Sequence, residues 1–499
     1  MSGGQARTLA QLGLAPTRGA QAKVTGLTID SREVREGMLF AALPGTRVHG
    51  ASFIEKALAD GAAAILTDAE GARIARDALS GSDAALVVTE DARAALSCAA
   101  ALWFGAQPET MVAVTGTNGK TSVASFARQI WLAMGHEAIN VGTTGVEGSF
   151  AAPLAHTTPD AITLHKVLAE AARAGVSHAA MEASSHGLDQ RRLDGVQLVA
   201  AGFTNFSQDH LDYHETFEAY FEAKAALFTR VLPEGGVAVI NMDDPKGPQM
   251  AALAEGRGQD VLRVGRSEAA QLRLLDQRFN PTGQSLRFSW LGDVHQVDLP
   301  LIGGFQAENL LVAAGLVIGA GADAERVFQL LPEMETVRGR MQLAATRRNG
   351  AAVFVDFAHT PDAISTAIEA LRPHVMGRLV AIIGAGGDRD TKKRPLMGQA
   401  AAAHADLVIV TDDNPRSEDP AAIREAVMEG CPDASNVGDR AEAILRGVAA
   451  LGPGDALLVL GKGHETGQTI GSDVLPFDDA EQASVAVMAL DAAEAGEGA

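Results

Sequence analysis

Met111-Val112-Ala113-Val114 is a short apolar run that reads as a buried strand, and Thr115-Gly116-Thr117-Asn118-Gly119-Lys120-Thr121 follows it directly. Behind that loop, Val123, Phe126, Ile130 and Met134 recur at helical spacing. Strand, glycine loop and helix in this order form the context of a phosphate-binding loop, because glycines let backbone N–H groups face an anion at a helix N-terminus. Lys120 can neutralise phosphate charge, and the Thr121 hydroxyl can bind Mg²⁺. The strict pattern has Gly where this chain has Val114. A glycine turn followed by a surface lysine is therefore the competing reading. The loop ties this part of the chain to a parallel α/β sheet, where such loops leave the C-terminal ends of strands.

The rest of the chain agrees. Short Val/Ile/Leu/Ala runs alternate with longer Ala-rich amphipathic stretches, the pattern of α/β folds with parallel sheets. A length of 499 residues suggests about three domains. Breaks at Gly105-Ala106-Gln107-Pro108-Glu109 and Leu331-Pro332-Glu333 place them at 1–107, 108–333 and 334–499. The net charge of −21 disfavours nucleic acid and anionic membrane partners. Cys98 and Cys431 make no metal-ligand set and fit a reducing compartment. The apolar runs near Ala94–Ala106 and Leu310–Ala322 fall short of the roughly 20 residues a bilayer requires. A cytoplasmic protein and a monomer are expected.

Two further strands, Ser177–Met181 and Val199–Phe203, deliver Glu182 and the segment Thr204–His210 to the same sheet end. Glu182 and His210 are candidate Mg²⁺ or water-positioning groups, although each taken alone is more often an ordinary structural residue. Phe217, Phe221, Lys224 and Phe228 share one helix face by spacing. The Lys224 stem can snorkel to water. If the amine is buried instead, desolvation favours its neutral form, which can add CO₂ and become an anionic carbamate ligand.

Three strand-ending loops mark the C-terminal third: Gly384–Arg389 after Arg378–Ile383, Asp412–Arg416 after Leu407–Val410, and Gly461–Glu465 after Ala456–Leu460. Gly384-Ala385-Gly386-Gly387-Asp388-Arg389 is not a dinucleotide fingerprint, which needs Gly where Arg389 stands. Arg389, Asp413, Asn414, Arg416 and Glu465 together suit an amino acid, with cations for carboxylate and anions for ammonium. Turn chemistry accounts for Asp-Asn-Pro alone, but poorly for three charged loops.

TGTNGKTS, HTTPDAITLH, MEASSHGLDQRR, FTNFSQDHLDYH, the Lys224 helix, GRMQ, DFAHTPDA, GAGGDRDTKKRPLM, TDDNPRSEDP and GKGHE together resemble the Mur ligase family, the ATP-dependent ligases of peptidoglycan precursor synthesis. The resemblance covers nearly the whole chain. It implies an N-terminal domain for the uridine nucleotide, a central P-loop domain for ATP and a C-terminal Rossmann-like domain for the incoming amino acid. The last four motifs resemble the members that add the third amino acid. They imply transfer of meso-diaminopimelate to the D-glutamate γ-carboxylate of UDP-MurNAc-L-Ala-D-Glu through an acyl phosphate, with Mg²⁺ and ATP.

Residue by residue, the resemblance carries over ATP contacts to Gly116, Thr117, Asn118, Gly119, Lys120, Thr121, Asn309, Arg340 and Asp356. It carries the magnesium region to Thr121, Glu182, His210 and Lys224, with Lys224 carbamylated, and the catalytic roles to Lys120, Lys224, His210 and Glu182. UDP-MurNAc-dipeptide contacts fall on Ile29, Ser31, Thr46, Arg47, Val48, Thr157, Thr158, Ser184, Gln190 and Arg192. Diaminopimelate contacts fall on Arg389, Asp413, Asn414, Pro415, Arg416, Gly461 and Glu465. An L-lysine-adding relative and a folylpolyglutamate-synthetase-like ligase remain open within the class. A P-loop hydrolase or kinase, or a nucleotide-binding module without ligase activity, remains open outside it.

Overall fold

A computed structural model of the protein describes residues 6–45, 48–207, 213–280 and 282–497. They form two compact units, the first from Met1–Leu272 with Leu311–Val327 and the second from Arg273–Leu310 with Phe328–Ala499. Among the described residues no helix is long and apolar enough to cross a membrane.

Besides the short antiparallel pair Arg7–Thr8/Lys23–Val24, the first unit holds strands of two larger sheets. A small parallel sheet, of strands Leu27–Thr28, Leu39–Ala41, Ala64–Thr67 and Ala85–Val88 in that spatial order, packs its apolar residues under the helix Ala92–Phe104. In the larger sheet the phosphate-loop strand, Thr110–Thr115, lies between His178–Glu182 and Ala200–Phe203, parallel to both. Ala138–Gly142 extends this sheet beyond His178–Glu182, and Val237–Asn241 and Asp260–Gly265 extend it beyond Ala200–Phe203. Both faces are covered, so these strands are nearly all apolar rather than alternating. The helix Ala161–Arg173 packs on Ala92–Phe104, and buries His165 there.

The second unit adds antiparallel strands to the parallel pattern. Gly283–Trp290 pairs antiparallel with Asp293–Leu299, and Leu272–Asn280 lies beside the first of these. The sequence there alternates polar and apolar residues, as a one-sided antiparallel sheet requires. The main sheet runs Gln342–Thr346, Ala352–Asp356, Ala456–Leu460, Leu379–Ile383, Leu407–Val410, Ser435–Asn436, with only the first strand antiparallel. Side chains alternate between its two buried faces: Leu379, Ala381 and Ile383 enter one core, and Val380 and Ile382 the other. The loops after Leu379–Ile383, Leu407–Val410 and Ala456–Leu460 therefore leave neighbouring parallel strands at one edge, as the sequence predicts.

Candidate active site

The phosphate loop is held from below and from the side. The Thr115 hydroxyl donates to the Ala183 carbonyl at 2.8 Å, and the Thr204 hydroxyl to the Asn118 carbonyl at 2.6 Å. The Asn118 N–H donates to Asn205 Oδ1 at 2.8 Å, and the Thr117 N–H to the Asn205 carbonyl at 2.9 Å. Gly116 (φ 151°) permits this closeness, since a Cβ there would lie 1.9 Å from Thr204 Oγ1. Gly119, left-handed at φ 87°, turns the chain into the helix Lys120–Ala133, which buries Thr121 in its first turn.

Two ammonium groups meet on one carbonyl. Lys120 Nζ donates to the Gly116 and Thr117 carbonyls, both at 2.9 Å, and Lys224 Nζ donates to the Gly116 carbonyl at 2.7 Å. Lys224 is 1% exposed, so its stem does not snorkel. Its ammonium also lies 4.4 Å from the Tyr220 ring centre, and the Tyr220 hydroxyl is 3.3 Å from Thr117 Oγ1. The aromatic stripe is only partly as expected. Phe221 and Phe228 are buried, but Phe217 is exposed, and Phe228 lies in a π-helical turn, Leu227–Val231, beyond the regular helix Phe217–Ala226. Tyr220 was not among the expected residues, although its place one turn before Lys224 could have marked it.

Glu182 ends its strand 1% exposed. Its Oε1 accepts from the Thr143 N–H at 2.8 Å, and its Oε2 from the Thr143 hydroxyl at 3.2 Å. That hydroxyl is 3.0 Å from Thr157 Oγ1. Thr158 continues the network, donating to the Glu182 carbonyl at 2.8 Å and accepting from the Ser184 N–H at 3.0 Å. Arg192 donates to the Thr158 carbonyl and to Gln190 Oε1, Gln190 donates to the Tyr213 hydroxyl, and Tyr213 donates to Asp189. The structure thus brings Thr157, Thr158, Ser184, Gln190 and Arg192 together around Glu182. Arg191, at φ 59°, marks the tight turn that delivers Arg192. Ile29 and Val48 are exposed, and the Ser31 carbonyl accepts from Lys56. Thr46, Arg47 and His210 lie outside the described residues.

Among the described residues no three His, Cys, Asp or Glu side chains cluster tightly enough to hold a metal. The buried Glu182 carboxylate and Thr121 hydroxyl are nevertheless hard oxygen donors, and Mg²⁺ is commonly held by one or two carboxylates plus substrate phosphate. Oxygen donors of this kind suit that ion and not a soft transition metal.

In the second unit, Asp356 ends the strand Ala352–Asp356. Its carboxylate accepts from the Met341 N–H at 2.7 Å and the Ala358 N–H at 2.8 Å. Burial pushes its pKa up, against the opposing pull of Arg340. Arg340 stacks 4.6 Å above the Phe357 ring, and the buried Asn309 donates to Gln306.

The three charged loops interlock. Arg416, at φ 51°, donates to the Gly387 carbonyl at 2.6 Å. Its backbone pairs with the hairpin Gly467–Ile470/Asp473–Pro476 through Thr469 and Gly471. Gly461 (φ 114°) lets Asp413 approach, since a Cβ would meet Asp413 Oδ2 at 2.6 Å. Asn414 Nδ2 donates to Glu465 Oε2 at 2.8 Å. Asp413, Asn414 and Pro415 are buried, and Arg389 is exposed. Beneath them Arg440 and Asp479, both with side chains 0% exposed, form a two-bond ion pair at 2.7 Å. Arg440 also donates to the Leu460 and Asp412 carbonyls, at the roots of two of the loops. Neither it nor the buried Lys462 was among the expected residues. A buried charge carries no periodic signature in sequence.

Three family profiles match the chain: Mur ligase family, catalytic domain, at residues 23–103; Mur ligase middle domain, at 114–317; and Mur ligase, glutamate ligase domain, at 339–463. The UDP-N-acetylmuramoyl-L-alanyl-D-glutamate–2,6-diaminopimelate ligase of Caulobacter vibrioides is 51% identical over 476 residues, 94% of this chain and 96% of that one. The ligase of that name from Bradyrhizobium diazoefficiens is 49% identical over 478 residues, with the same coverage of both chains. A solved structure of a ligase so named aligns with a TM-score of 0.71 at 33% identity, over 97% of this chain and 99% of that chain. MurF from Acinetobacter baumannii, at 17% identity and a TM-score of 0.61 over 92% of this chain and 96% of that one, shares the fold.

Proposed function

This chain belongs to the Mur ligase family, and from that premise we propose that it is the ATP-dependent ligase that joins meso-diaminopimelate to the D-glutamate γ-carboxylate of UDP-MurNAc-L-Ala-D-Glu. The full-length match to diaminopimelate-adding relatives carries this reading. The segments 1–107, 108–333 and 334–499 are taken as the nucleotide-substrate, ATP and amine domains. The ATP requirement puts the reaction in the cytoplasm.

A γ-carboxylate oxygen attacks the γ-phosphorus of ATP, and ADP leaves. The amine of diaminopimelate attacks the acyl phosphate, loses a proton, and the tetrahedral intermediate expels phosphate to leave the amide. Phosphoryl transfer of this kind depends on positioning and charge neutralisation. Backbone N–H groups from Gly116 to Thr121 bind the phosphates, and Lys120 neutralises the transferring group. Thr157, Thr158, Ser184, Gln190 and Arg192 orient the dipeptide. Asn309, Arg340 and Asp356 contact ATP. Thr121, Glu182, His210 and a carbamate on Lys224 would hold Mg²⁺, which would supply electrostatic stabilisation of the phosphate charge. The burial of Lys224 supports the carbamate, which forms when the neutral amine takes up CO₂ and releases a proton.

Diaminopimelate carries a second carboxylate that L-lysine lacks. Arg416 and Arg389 supply donors for it, while Asp413 and Glu465 accept from ammonium. A site built for a polar group can reject the analogue lacking it by about 10⁴–10⁵. The test is ADP and phosphate release, with and without UDP-MurNAc-L-Ala-D-Glu, over a panel of amines. Turnover that requires both the nucleotide and meso-diaminopimelate is expected. Release without an amine means a hydrolase, and comparable kcat/KM for L-lysine overturns the specificity.

A further inference from the structure

Lys462 has no role in the reading above, yet it is fully buried. It lies between Gly461 and Gly463, in the loop after Ala456–Leu460. Its Nζ donates to Asn414 Oδ1 and to Glu465 Oε2, both at 3.0 Å. Asn414 Oδ1 accepts a second bond, from the Thr469 N–H at 2.9 Å. With two donors on its carbonyl oxygen the amide cannot turn over, so Nδ2 must face Glu465. Nδ2 and the ammonium then converge on one carboxylate oxygen, Oε2. Oε1, on a side chain 36% exposed, is left as the oxygen for an incoming cation.

The loop gives this arrangement little room to relax. Gly463 (φ 54°) leaves no space for a Cβ, which would sit 2.7 Å from Phe357 Cβ. An ammonium with no access to water persists only where paired and hydrogen-bonded, and here the pairing also fixes two rotamers.

We infer that Lys462 is a positioning residue for the amine. Its buried ammonium locks Asn414 and Glu465 into the orientation that presents a carboxylate oxygen to the ammonium group of an amino acid substrate. The inference rests on the reading of Asn414 and Glu465 as amine contacts, and the experiment separates the two.

Steady-state kinetics of the full chain, with ATP, UDP-MurNAc-L-Ala-D-Glu and meso-diaminopimelate, would compare Lys462→Met, Lys462→Gln, Glu465→Gln and the Met/Gln double variant. Lys462→Met keeps an unbranched side chain one atom shorter and removes its donors. KM for diaminopimelate should rise roughly tenfold or more, while KM for ATP and for the nucleotide stays within about twofold. Lys462→Gln, which retains a neutral donor, should fall between Met and wild type. The double variant should be little worse than Glu465→Gln alone, because the two residues act as one unit. If Glu465→Gln raises KM for the amine and neither Lys462 variant does, the inference fails and the amine site stands. If no variant moves that constant, both fail. A parallel rise in all three KM values with a lowered melting temperature would make Lys462 a merely structural residue and also overturn the inference. Should the Met variant not fold, the Gln variant decides by the same comparison.

Discussion

Gly142 offers a way to move one carboxylate without touching it. It ends the strand beside that of Glu182, and a Cβ placed on it would lie 2.1 Å from Glu182 Oε1, 2.7 Å from Cδ and 2.8 Å from Cγ. Real Cβ atoms essentially never come within 3.0 Å of another heavy atom, so in Gly142→Ala the carboxylate must retreat by about 1 Å. It cannot swing into water, because Glu182 is 1% exposed and both its oxygens are bonded to Thr143. Misplacement by about 1 Å at a catalytic centre can cost on the order of 10²-fold in rate. Loss of the Thr143 bonds adds about 1–3 kcal/mol of destabilisation. We expect kcat for the ligation to fall about a hundredfold, with the protein still folded at assay temperature. Gly256→Ala is the control, since a Cβ there meets nothing within 4 Å. Coupled detection of ADP gives kcat, and thermal melting gives the fold. A Gly142→Ala protein with kcat within twofold of wild type would refute the claim that the position of Glu182 matters to the reaction.

Lys120→Ala should lower turnover by about 10²–10³ or more with little change in melting temperature, and near-normal kcat would remove Lys120 from the phosphate site. Asp479→Asn leaves the buried Arg440 guanidinium without its counterion, at a cost of about 3–5 kcal/mol in urea unfolding; an unchanged midpoint would show the pair to be dispensable. Burial lowers His165 from its ordinary 6.5 to about 4. The folded protein therefore binds fewer protons than the unfolded chain between those values. Stability from this site is full above about pH 6.5 and declines as pH falls toward about 4, by at most about 3 kcal/mol. His165→Leu should flatten that acid limb in pH-dependent melting, and an unaltered limb would exclude His165 as its source.

The parallel sheets were legible because each strand is a short apolar run ending in a turn-forming, charged loop, and the phosphate loop, Glu182 and the three charged loops of the C-terminal third all lie at such ends. The antiparallel arm from Leu272 to Leu299 was not, since its strands alternate polar and apolar residues instead of forming apolar runs, and its partners are near neighbours rather than elements across a helix. The Lys224 stripe was half legible. Spacing put Phe221 and Phe228 with the lysine, but a helical wheel assumes a uniform turn, which the π-helical segment breaks, and it gives no weight to where a helix begins, which leaves Phe217 exposed. Lys462, Arg440 and Tyr220 escaped for a different reason. Each also has a partner distant in sequence: Asn414 for Lys462, Thr117 for Tyr220 and, for Arg440, Asp479, 39 residues on.

That distance bears on how the protein is made. The loops after Leu407–Val410 and Ala456–Leu460 are gripped at their roots by Arg440, whose counterion opens the last helix, Asp479–Glu497. Near its far end the same helix also binds Arg347 through Asp491. A nascent chain ending before Asp479 would carry all three charged loops yet lack the carboxylate that makes two hydrogen bonds to Arg440 beneath them. During synthesis the phosphate loop can be in place long before the three charged loops are fixed. The final arrangement of these loops would then be acquired last, when the last helix docks.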